Sequence, residues 1–184
     1  MVWLGGDYHF RFKNILKYRE FDSLENMENH IITNHNAMVK EGDTFICIGD
    51  FCEGVDPKEL LPKMNGHFLF VRGNHDTHPF FKNMPDGIFL RRKGFNIYIT
   101  HDPRRGRSFN HIDLVICGHV HQHWRIRNIG NKMYINVGVD VNDFKPVSLP
   151  GILDHFSVKK SDVKRELRRF VLDHNSIRHI LRRG

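Results

Sequence analysis

Residues that commonly bind metal ions follow most of the apolar runs in this sequence of 184 residues. Carboxylate, carboxamide and imidazole groups occur in five short motifs, which are Asp7 with His9, Gly49-Asp50, Gly73-Asn74-His75-Asp76, His101, and Gly118-His119-Val120-His121. Taken singly the first two are weak signals, because a loop Asp is usually only a turn residue. The ordered set of five is highly specific. Ligands from all five that reach one place can hold two divalent cations, which polarise a phosphate and stabilise its entering and leaving oxygens.

Short apolar runs position these motifs. Four runs with strand length and composition cover residues 45–48, 68–71, 95–99 and 114–117, and residues 133–137 predict one more strand. Residues 23–40 have helical spacing with Ser23 as N-cap, and a short helix is expected over residues 57–64, starting at Pro57. Loops at the carboxyl ends of strands in an α/β sheet converge on one crevice, so we expect the motifs to meet there.

The ordered motifs resemble those of the calcineurin-like metallophosphoesterase superfamily, in particular its small bacterial, archaeal and phage members. The match runs from residue 7 to residue 121, and the phrase Asn136-Val137-Gly138-Val139-Asp140 also looks like those members. Gly6 stands where family members commonly carry Ser, which should not disturb metal binding. The resemblance implies a layered α/β fold, a four-layer αββα sandwich with two mixed β-sheets and a metal site in the strand-end loops. We expect a single domain over residues 1–184.

The resemblance also implies a role for each motif residue. One cation would be held by Asp7, His9 and His121, the other by Asn74, His101 and His119, with Asp50 bridging the two. His75 would lie over the phosphate and stabilise or protonate the leaving oxygen, with Asp76 orienting its imidazole. The attacking group would be a metal-bridging hydroxide in line with the leaving group. Manganese is the expected cation, with iron, nickel or zinc as alternatives, because a mixed nitrogen and oxygen site accepts all four.

Basic residues near the motifs are candidates for binding the substrate. Arg104, Arg105 and Arg107 follow His101 in one loop, where a guanidinium group matches phosphate oxygens, although a solvated loop explains them equally well. His123 and His78 lie close to motifs and could line the same pocket. The other histidines outside the motifs are expected to be surface or satisfied side chains.

The net charge of +7 is concentrated at the carboxyl end of the chain. Residues 158–184 carry nine Lys or Arg against three Asp or Glu, a net charge of +6. Their apolar residues have helical spacing after a candidate cap at Ser161, and they are Val163, Leu167, Phe170 and Val171. We expect a basic amphipathic helix, which is either a solvated face packed on the fold or a patch that binds nucleic acid.

Other features of the sequence indicate in which cellular compartment the protein is found. No apolar run approaches a membrane span, and the N-terminus lacks the basic start and apolar core of a signal peptide. Three cysteines give no disulfide framework, and Cys47 and Cys117, which lie inside apolar runs, are expected to be buried. We therefore expect a cytoplasmic protein.

Three functions remain open. The favoured one is a metal-dependent phosphodiesterase or phosphatase that acts on nucleotides or nucleic-acid ends. Only 24 positions separate Asp50 from Asn74 and 27 separate Asn74 from His101, so no cap domain fits and an open site is expected. The second is a non-catalytic scaffold on the same fold, and the third is a nucleic-acid-binding module with structural metals. Relatives that became scaffolds typically lose ligands, whereas here every predicted ligand is present.

Overall fold

The computed structural model describes residues 1–157. The strands are β1 (Val2–Gly5), β2 (Thr44–Ile48), β3 (His67–Val71), β4 (Gly87–Arg92), β5 (Phe95–Thr100), β6 (Leu114–Cys117), β7 (Ile126–Ile129), β8 (Lys132–Asn136) and β9 (Val147–Ser148). Helix α1 is Leu24–Met38, and another helical segment begins at residue 149. Short 3-10 turns span Lys13–Lys17, Pro57–Glu59, Leu61–Lys63, Pro79–Phe81, Pro103–Ser108, His121–His123 and Val139–Val141. All five strands predicted from apolar runs are present.

The strands form two mixed sheets. The first has the order β3-β2-β1-β9, in which β1, β2 and β3 are parallel and β9 is antiparallel. The second has the order β4-β5-β6-β8-β7, in which β5, β6 and β8 are parallel between two antiparallel edge strands. The prediction of an α/β fold with two mixed sheets is therefore confirmed.

Helix α1 begins where its sequence predicts. Ser23 has an extended backbone, and its hydroxyl accepts a hydrogen bond of 3.1 Å from the Asn26 N–H, which satisfies a donor that the first helical turn leaves free. Met27 and Ile31 are buried one turn apart on the same face. This face packs in one apolar cluster with Phe45 and other residues of the first sheet. The helix thus covers that side of the sheet.

Both faces of each sheet are buried around the central strands. In β2, Phe45 and Cys47 belong to the cluster beside α1, while Ile46 and Ile48 point to the opposite face and are also buried. Such double burial explains why the strand sequences are continuous apolar runs rather than alternating ones. The outer face of the second sheet is covered by the turn Pro103–Ser108, where a Cβ on Gly106 would lie 2.6 Å from the Val115 side chain.

Residues 57–64 form two 3-10 turns rather than the predicted short helix. Asp56 caps the first turn by accepting the Lys58 N–H at 3.0 Å. Pro62 has no N–H, and the residue before a proline disfavours helical backbone, so an α-helix cannot continue through this segment. The predicted basic helix of residues 158–184 lies outside the described residues.

The three cysteines are buried and form no disulfide, which agrees with the expectation for Cys47 and Cys117. Within residues 1–157, no helix has both the length and the apolar character needed to cross a membrane.

Buried His35 makes the stability of the fold depend on pH. Its Nε2 lies 2.8 Å from the Asn65 carbonyl oxygen, and its ring packs edge-on against Phe45. Burial lowers the pKa of His35 below its ordinary value of 6.5. In the unfolded chain, His35 therefore binds a proton below about pH 6.5, whereas in the folded chain it stays neutral to a lower pH. The stability of the fold falls as the pH drops further. In urea denaturation with EDTA, we expect the free energy of unfolding to decline from about pH 7 to about pH 5.

The decline should be shallower in His35→Asn, although that variant is less stable at neutral pH. His67→Asn, which changes an exposed residue of β3, is the matched control and should keep the wild-type slope. Equal slopes for wild type and His35→Asn would show that another group controls the acid sensitivity.

Candidate metal centre

The predicted ligands lie in loops at the carboxyl ends of parallel strands. In the first sheet, Asp7 comes after β1, Asp50 after β2 and Asn74 after β3. In the second sheet, His101 follows β5 and His119 lies just beyond β6. The two sets of loops meet, because the His101 Nδ1 donates a hydrogen bond of 2.9 Å to the carbonyl oxygen of Ile48 in β2. The fold therefore assembles one site from both sheets.

Five predicted ligands have a left-handed backbone, which side-chain-bearing residues rarely adopt. The φ angles are 57° for Asp7, 52° for His9, 52° for Asp50, 71° for His119 and 43° for His121. A left-handed backbone costs about 1 kcal/mol or more of folding free energy for each such residue, and it persists only where the surrounding structure fixes it. The sharp turns redirect side chains that an extended strand would alternate between opposite faces. His121 is thereby placed beside His9, with 5.2 Å between the ring centroids.

Four polar atoms converge on the side of the site nearest the second sheet. The Asn74 Oδ1 lies 2.9 Å from the His101 Nε2 and 2.9 Å from the His119 Nδ1. The His101 Nε2 also lies 3.2 Å from the Asp50 Oδ2. Because the His101 Nδ1 is engaged by Ile48, its Nε2 is the nitrogen left to bind a ligand.

A second group of ligand atoms comes from Asp7, His9 and His121. One ligand atom each of Asp7, His9 and His121 falls within 4.8 Å of the other two. The Asp50 Oδ2 lies 3.6 Å from the His9 Nε2, so this oxygen stands between His9 on one side and His101 on the other. This is the arrangement expected of a bridging carboxylate.

The polar atoms of this group fit a divalent cation. The His9 Nε2 is buried and has no hydrogen-bond partner, and a buried polar atom without a partner costs about 1–3 kcal/mol. Burial lowers the pKa of His9 to about 3, so the ring is neutral and can bind a cation through nitrogen. Imidazole and carboxylate ligands together suit manganese, iron, nickel or zinc.

Two buried carboxylates give the site its negative charge. Burial raises the pKa of Asp7 to about 6. For Asp50, burial acts in the same direction, but the hydrogen bond and charge of His101 outweigh it and lower the pKa to about 2. Burial opposes a charge on His101, yet Asp50 and Asp7 raise its pKa to about 9. A proton on His101 therefore balances the negative charges of Asp7 and Asp50, which a bound cation would balance in its place.

Cation binding should consequently release protons. At about pH 7, His101 is protonated according to its pKa of about 9 and must lose that proton to bind a cation. We expect release of about one proton per chain, and an apparent affinity that falls as the pH drops, more steeply below the Asp7 pKa of about 6. Calorimetric titration with Mn²⁺ in two buffers of different ionisation enthalpy measures this release, with blank titrations into each buffer. Identical enthalpies in both buffers would contradict it.

Three glycines leave room for the carboxylates of Asp50 and Asp7. A Cβ on Gly73 would lie 2.1 Å from the Asp50 Oδ1. Cβ atoms on Gly118 and Gly138 would lie 2.6 Å and 2.4 Å from the Asp7 Oδ2. Any side chain at these three positions would therefore displace a predicted ligand.

A buried ion pair between Arg19 and Asp140 holds the ring of His121. The Asp140 carboxylate accepts hydrogen bonds from the His121 Nδ1 at 2.9 Å and from the Arg19 Nε at 2.7 Å. The Arg19 guanidinium also donates to the backbone carbonyls of Asp7 and Tyr8. Burial alone would raise the pKa of Asp140, but His121 and Arg19 lower it to about 2. The charged carboxylate fixes the tautomer of His121 and leaves its Nε2 for a cation.

Asn136 holds the same loop through its side-chain amide. Its Nδ2 donates to the carbonyl oxygens of His121 at 2.8 Å and Trp124 at 2.9 Å, and its Oδ1 accepts the Gly138 N–H at 2.8 Å. The phrase from Asn136 to Asp140 therefore places both the backbone and the ring of His121.

His75 lies beside the ligands with its ring partly open to solvent. Its N–H donates to the Asp50 Oδ1 at 2.8 Å, and its ring packs edge-on against His9. The Nδ1 lies 3.4 Å from the Glu53 Oε1, and 40% of the side chain is exposed. Glu53 therefore sets the orientation of the imidazole and leaves the Nε2 as the nitrogen that can face a substrate.

This arrangement corrects the role that the resemblance gave to Asp76. Its carboxylate accepts three backbone N–H groups, from Asp50 and Phe51 at 2.9 Å each and from Gly73 at 2.8 Å. Asp76 is buried, whereas the neighbouring His75 ring points outward, so adjacency in sequence does not make them partners. Asp76 joins two ligand-bearing loops, and Glu53 takes the place beside the imidazole.

The predicted substrate residues divide into two groups. Arg104 and Arg105 line a cleft next to Asn74, His101 and His119, and so does His78. Arg107 and His123 are exposed and are not among the residues that line this cleft.

Three supporting residues were missed by sequence reasoning. Glu53 comes three residues after Asp50, and Asp140 closes a phrase that already resembled the family, so each had a local signal. Arg19 had none, because its partner Asp140 is 121 positions away.

The sequence profile of the calcineurin-like phosphoesterase superfamily domain matches residues 7–145, a range that contains every predicted ligand. The chain belongs to this superfamily.

Two similar proteins extend the likeness beyond the motifs. An uncharacterised protein of Methanocaldococcus jannaschii is 32% identical over 158 residues, which cover 80% of this chain and 86% of that protein. A solved structure of a protein of unknown function from Aquifex aeolicus is 27% identical and has a TM-score of 0.67, covering 84% of this chain and 98% of that one. Neither relative carries an assigned function, so they support the fold and the family.

Proposed function

We propose that this chain is a dinuclear-metal phosphoesterase that hydrolyses phosphodiester or phosphomonoester bonds of nucleotides or nucleic acids. The observation that carries the proposal is the position of the Asp50 Oδ2, 3.6 Å from the His9 Nε2 and 3.2 Å from the His101 Nε2. Asp7, His9 and His121 would hold one cation, and Asn74, His101 and His119 the other.

The two cations would supply positive charge that lowers the pKa of water and stabilises charge on the phosphate oxygens. His75 then acts on the leaving group, since its Nε2 can donate a proton to the departing oxygen. Glu53 lies 3.4 Å from the opposite nitrogen of the ring and orients it. Asn74 contributes an oxygen without a charge, so the site keeps a positive excess toward an anionic substrate.

The surroundings of the centre favour a phosphate ester carried on a larger molecule. The site opens into a cleft lined by Arg72, Lys82 and Arg105 as well as by the ligands. No capping domain is inserted between the ligand-bearing strands of residues 1–157, so the substrate is not enclosed. The basic residues 158–184, which lie outside the described residues, are a further proposed contact for nucleic acid.

The test uses the purified full chain, stripped with EDTA and reloaded with Mn²⁺, Fe²⁺, Ni²⁺ or Zn²⁺ in turn. We expect hydrolysis of bis-p-nitrophenyl phosphate or of its monoester analogue with at least one cation, manganese first among them. EDTA should abolish it. If neither ester is hydrolysed with any of the four cations, the enzymatic proposal fails and the non-catalytic scaffold takes its place.

A further inference from the structure

The cleft beside the candidate metal centre is larger than a single phosphate requires. It has a volume of about 950 Å³, and its lining includes the ligands Asn74, His101 and His119. Sites for small organic ligands typically occupy about 300–1,000 Å³. A substrate with its reacting phosphate at the centre therefore has room to extend along the cleft.

One carboxylate in this cleft orients two guanidinium groups. The Asp86 Oδ1 lies 3.0 Å from the Arg72 Nη2, and the Asp86 Oδ2 lies 3.3 Å from the Arg105 Nη1. Arg72 follows β3 and Arg105 lies in the turn Pro103–Ser108, so Asp86 joins groups from two separate loops. A guanidinium group has five N–H donors, so each arginine keeps donors for another acceptor after pairing with Asp86.

The cleft keeps a positive excess after its internal pairs are considered. The other carboxylates are occupied, since Asp102 binds the Arg104 side chain at 2.7 Å and Asp76 accepts backbone N–H groups. Lys82 is exposed and lines the same cleft. Three cationic side chains, Arg72, Lys82 and Arg105, thus line the cleft together with one carboxylate, Asp86, that the other pairs leave. Guanidinium forks held in place by a carboxylate are well suited to bind phosphate oxygens.

We propose that Arg72, Lys82 and Arg105 bind a second, non-scissile phosphate of the substrate while the scissile phosphate lies at the metal centre. This inference rests on the proposed phosphoesterase function and narrows its substrates to molecules with at least two phosphates. The second phosphate is either the neighbouring diester of an oligonucleotide or a further phosphate of a nucleoside polyphosphate, in which the bond cleaved by water is the ester between the ribose and the first phosphate.

The experiment compares substrates that differ in the number of phosphates. Thymidine dinucleotide TpT has one phosphate, while the trinucleotide TpTpT and diadenosine triphosphate represent the two sources of a second one. We expect the full chain loaded with Mn²⁺ to prefer one of these two over TpT in kcat/KM. In Arg72→Gln and in Lys82→Gln this preference should fall by roughly tenfold, since each variant loses a charge-assisted contact.

Arg92→Gln is the matched control, because it removes one positive charge from an exposed residue at the end of β4 that lies away from Asp86. Arg92 pairs with Phe95, at the far end of β5 from His101. This variant should keep the wild-type preference. The preference should also decline with added salt in the wild type.

A measurement without catalysis separates this inference from the proposed function. In the Mn²⁺-loaded His75→Asn background, which lacks the proposed proton donor but keeps every ligand, cleavage is too slow to interfere, and fluorescence anisotropy compares the affinities for labelled TpTpT and labelled TpT. We expect tighter binding of TpTpT, by a ratio that falls in Arg72→Gln and not in Arg92→Gln. An unchanged ratio in both Arg72→Gln and Lys82→Gln, or equal losses for TpT and TpTpT, would overturn the second phosphate site. Absence of hydrolysis by the wild type together with the expected binding ratios would instead reject only the phosphoesterase function.

Discussion

Asp50→Asn should lose most of its bound cations and at least about a thousandfold in kcat/KM for phosphate esters. The Asp50 Oδ2 is the atom that faces both His9 and His101, at 3.6 Å and 3.2 Å. A carboxamide places a neutral oxygen or an N–H group there, so the charge that would hold two cations is lost. The Oδ1 also accepts the His75 N–H at 2.8 Å, and exchange for an amide can disturb that loop. Manganese content after dialysis and kcat/KM for bis-p-nitrophenyl phosphate measure the two effects.

Asp56→Asn is the matched control for Asp50→Asn. Asp56 caps the turn Pro57–Glu59 through the Lys58 N–H, and asparagine is an equally good cap. This variant should keep both its manganese content and its activity. If Asp50→Asn retained two cations per chain, Asp50 would not be the bridge.

His75→Asn should also lose most of its activity, but unlike Asp50→Asn it should keep its cation content. His75 contributes no atom to either group of ligands, while its half-exposed ring is held at 3.4 Å by Glu53. General acid catalysis typically contributes about 10²–10⁴ in rate, and the loss should depend on the leaving group. A nucleoside alkoxide needs a proton to depart, whereas p-nitrophenolate is a good leaving group without one. We therefore expect a larger loss of kcat for TpT than for bis-p-nitrophenyl phosphate.

His67→Asn, on the exposed surface of β3, serves as the control and should match the wild type on both substrates. Loss of manganese from His75→Asn would identify His75 as a ligand instead of a proton donor. An equal loss on both substrates would show that His75 positions the phosphate and does not protonate the leaving oxygen.

The strands with the clearest sequence signal are buried on both faces. β2 and β6 are buried on both faces, so Phe45–Ile48 and Leu114–Cys117 are uninterrupted apolar runs that stand out in sequence. β4 is an edge strand with half of its residues exposed, and its apolar run, Ile88-Phe89-Leu90, has only three residues. β9 has only two residues, and its pairing with β1 depends on tertiary contacts that no local pattern encodes.

The candidate site was predictable to the extent that its ligands lie in ordered motifs. His119 and His121 could be named from their spacing, but the left-handed turns that aim both rings into the site could not. Asp76 was given the wrong partner because sequence adjacency to His75 says nothing about which side chain turns inward. Arg19 could not be found at all, since its hydrogen bonds to Asp140 join positions that only the folded chain brings together.

The central claim is that the atoms around Asp50 hold two cations that hydrolyse phosphate esters. The most direct measurement titrates the metal-free full chain with Mn²⁺ while following hydrolysis of bis-p-nitrophenyl phosphate under tight-binding conditions. The claim predicts that the rate rises and reaches a plateau at about two equivalents of Mn²⁺ per chain. A plateau at one equivalent, or hydrolysis by the metal-free chain at the same rate, would contradict it.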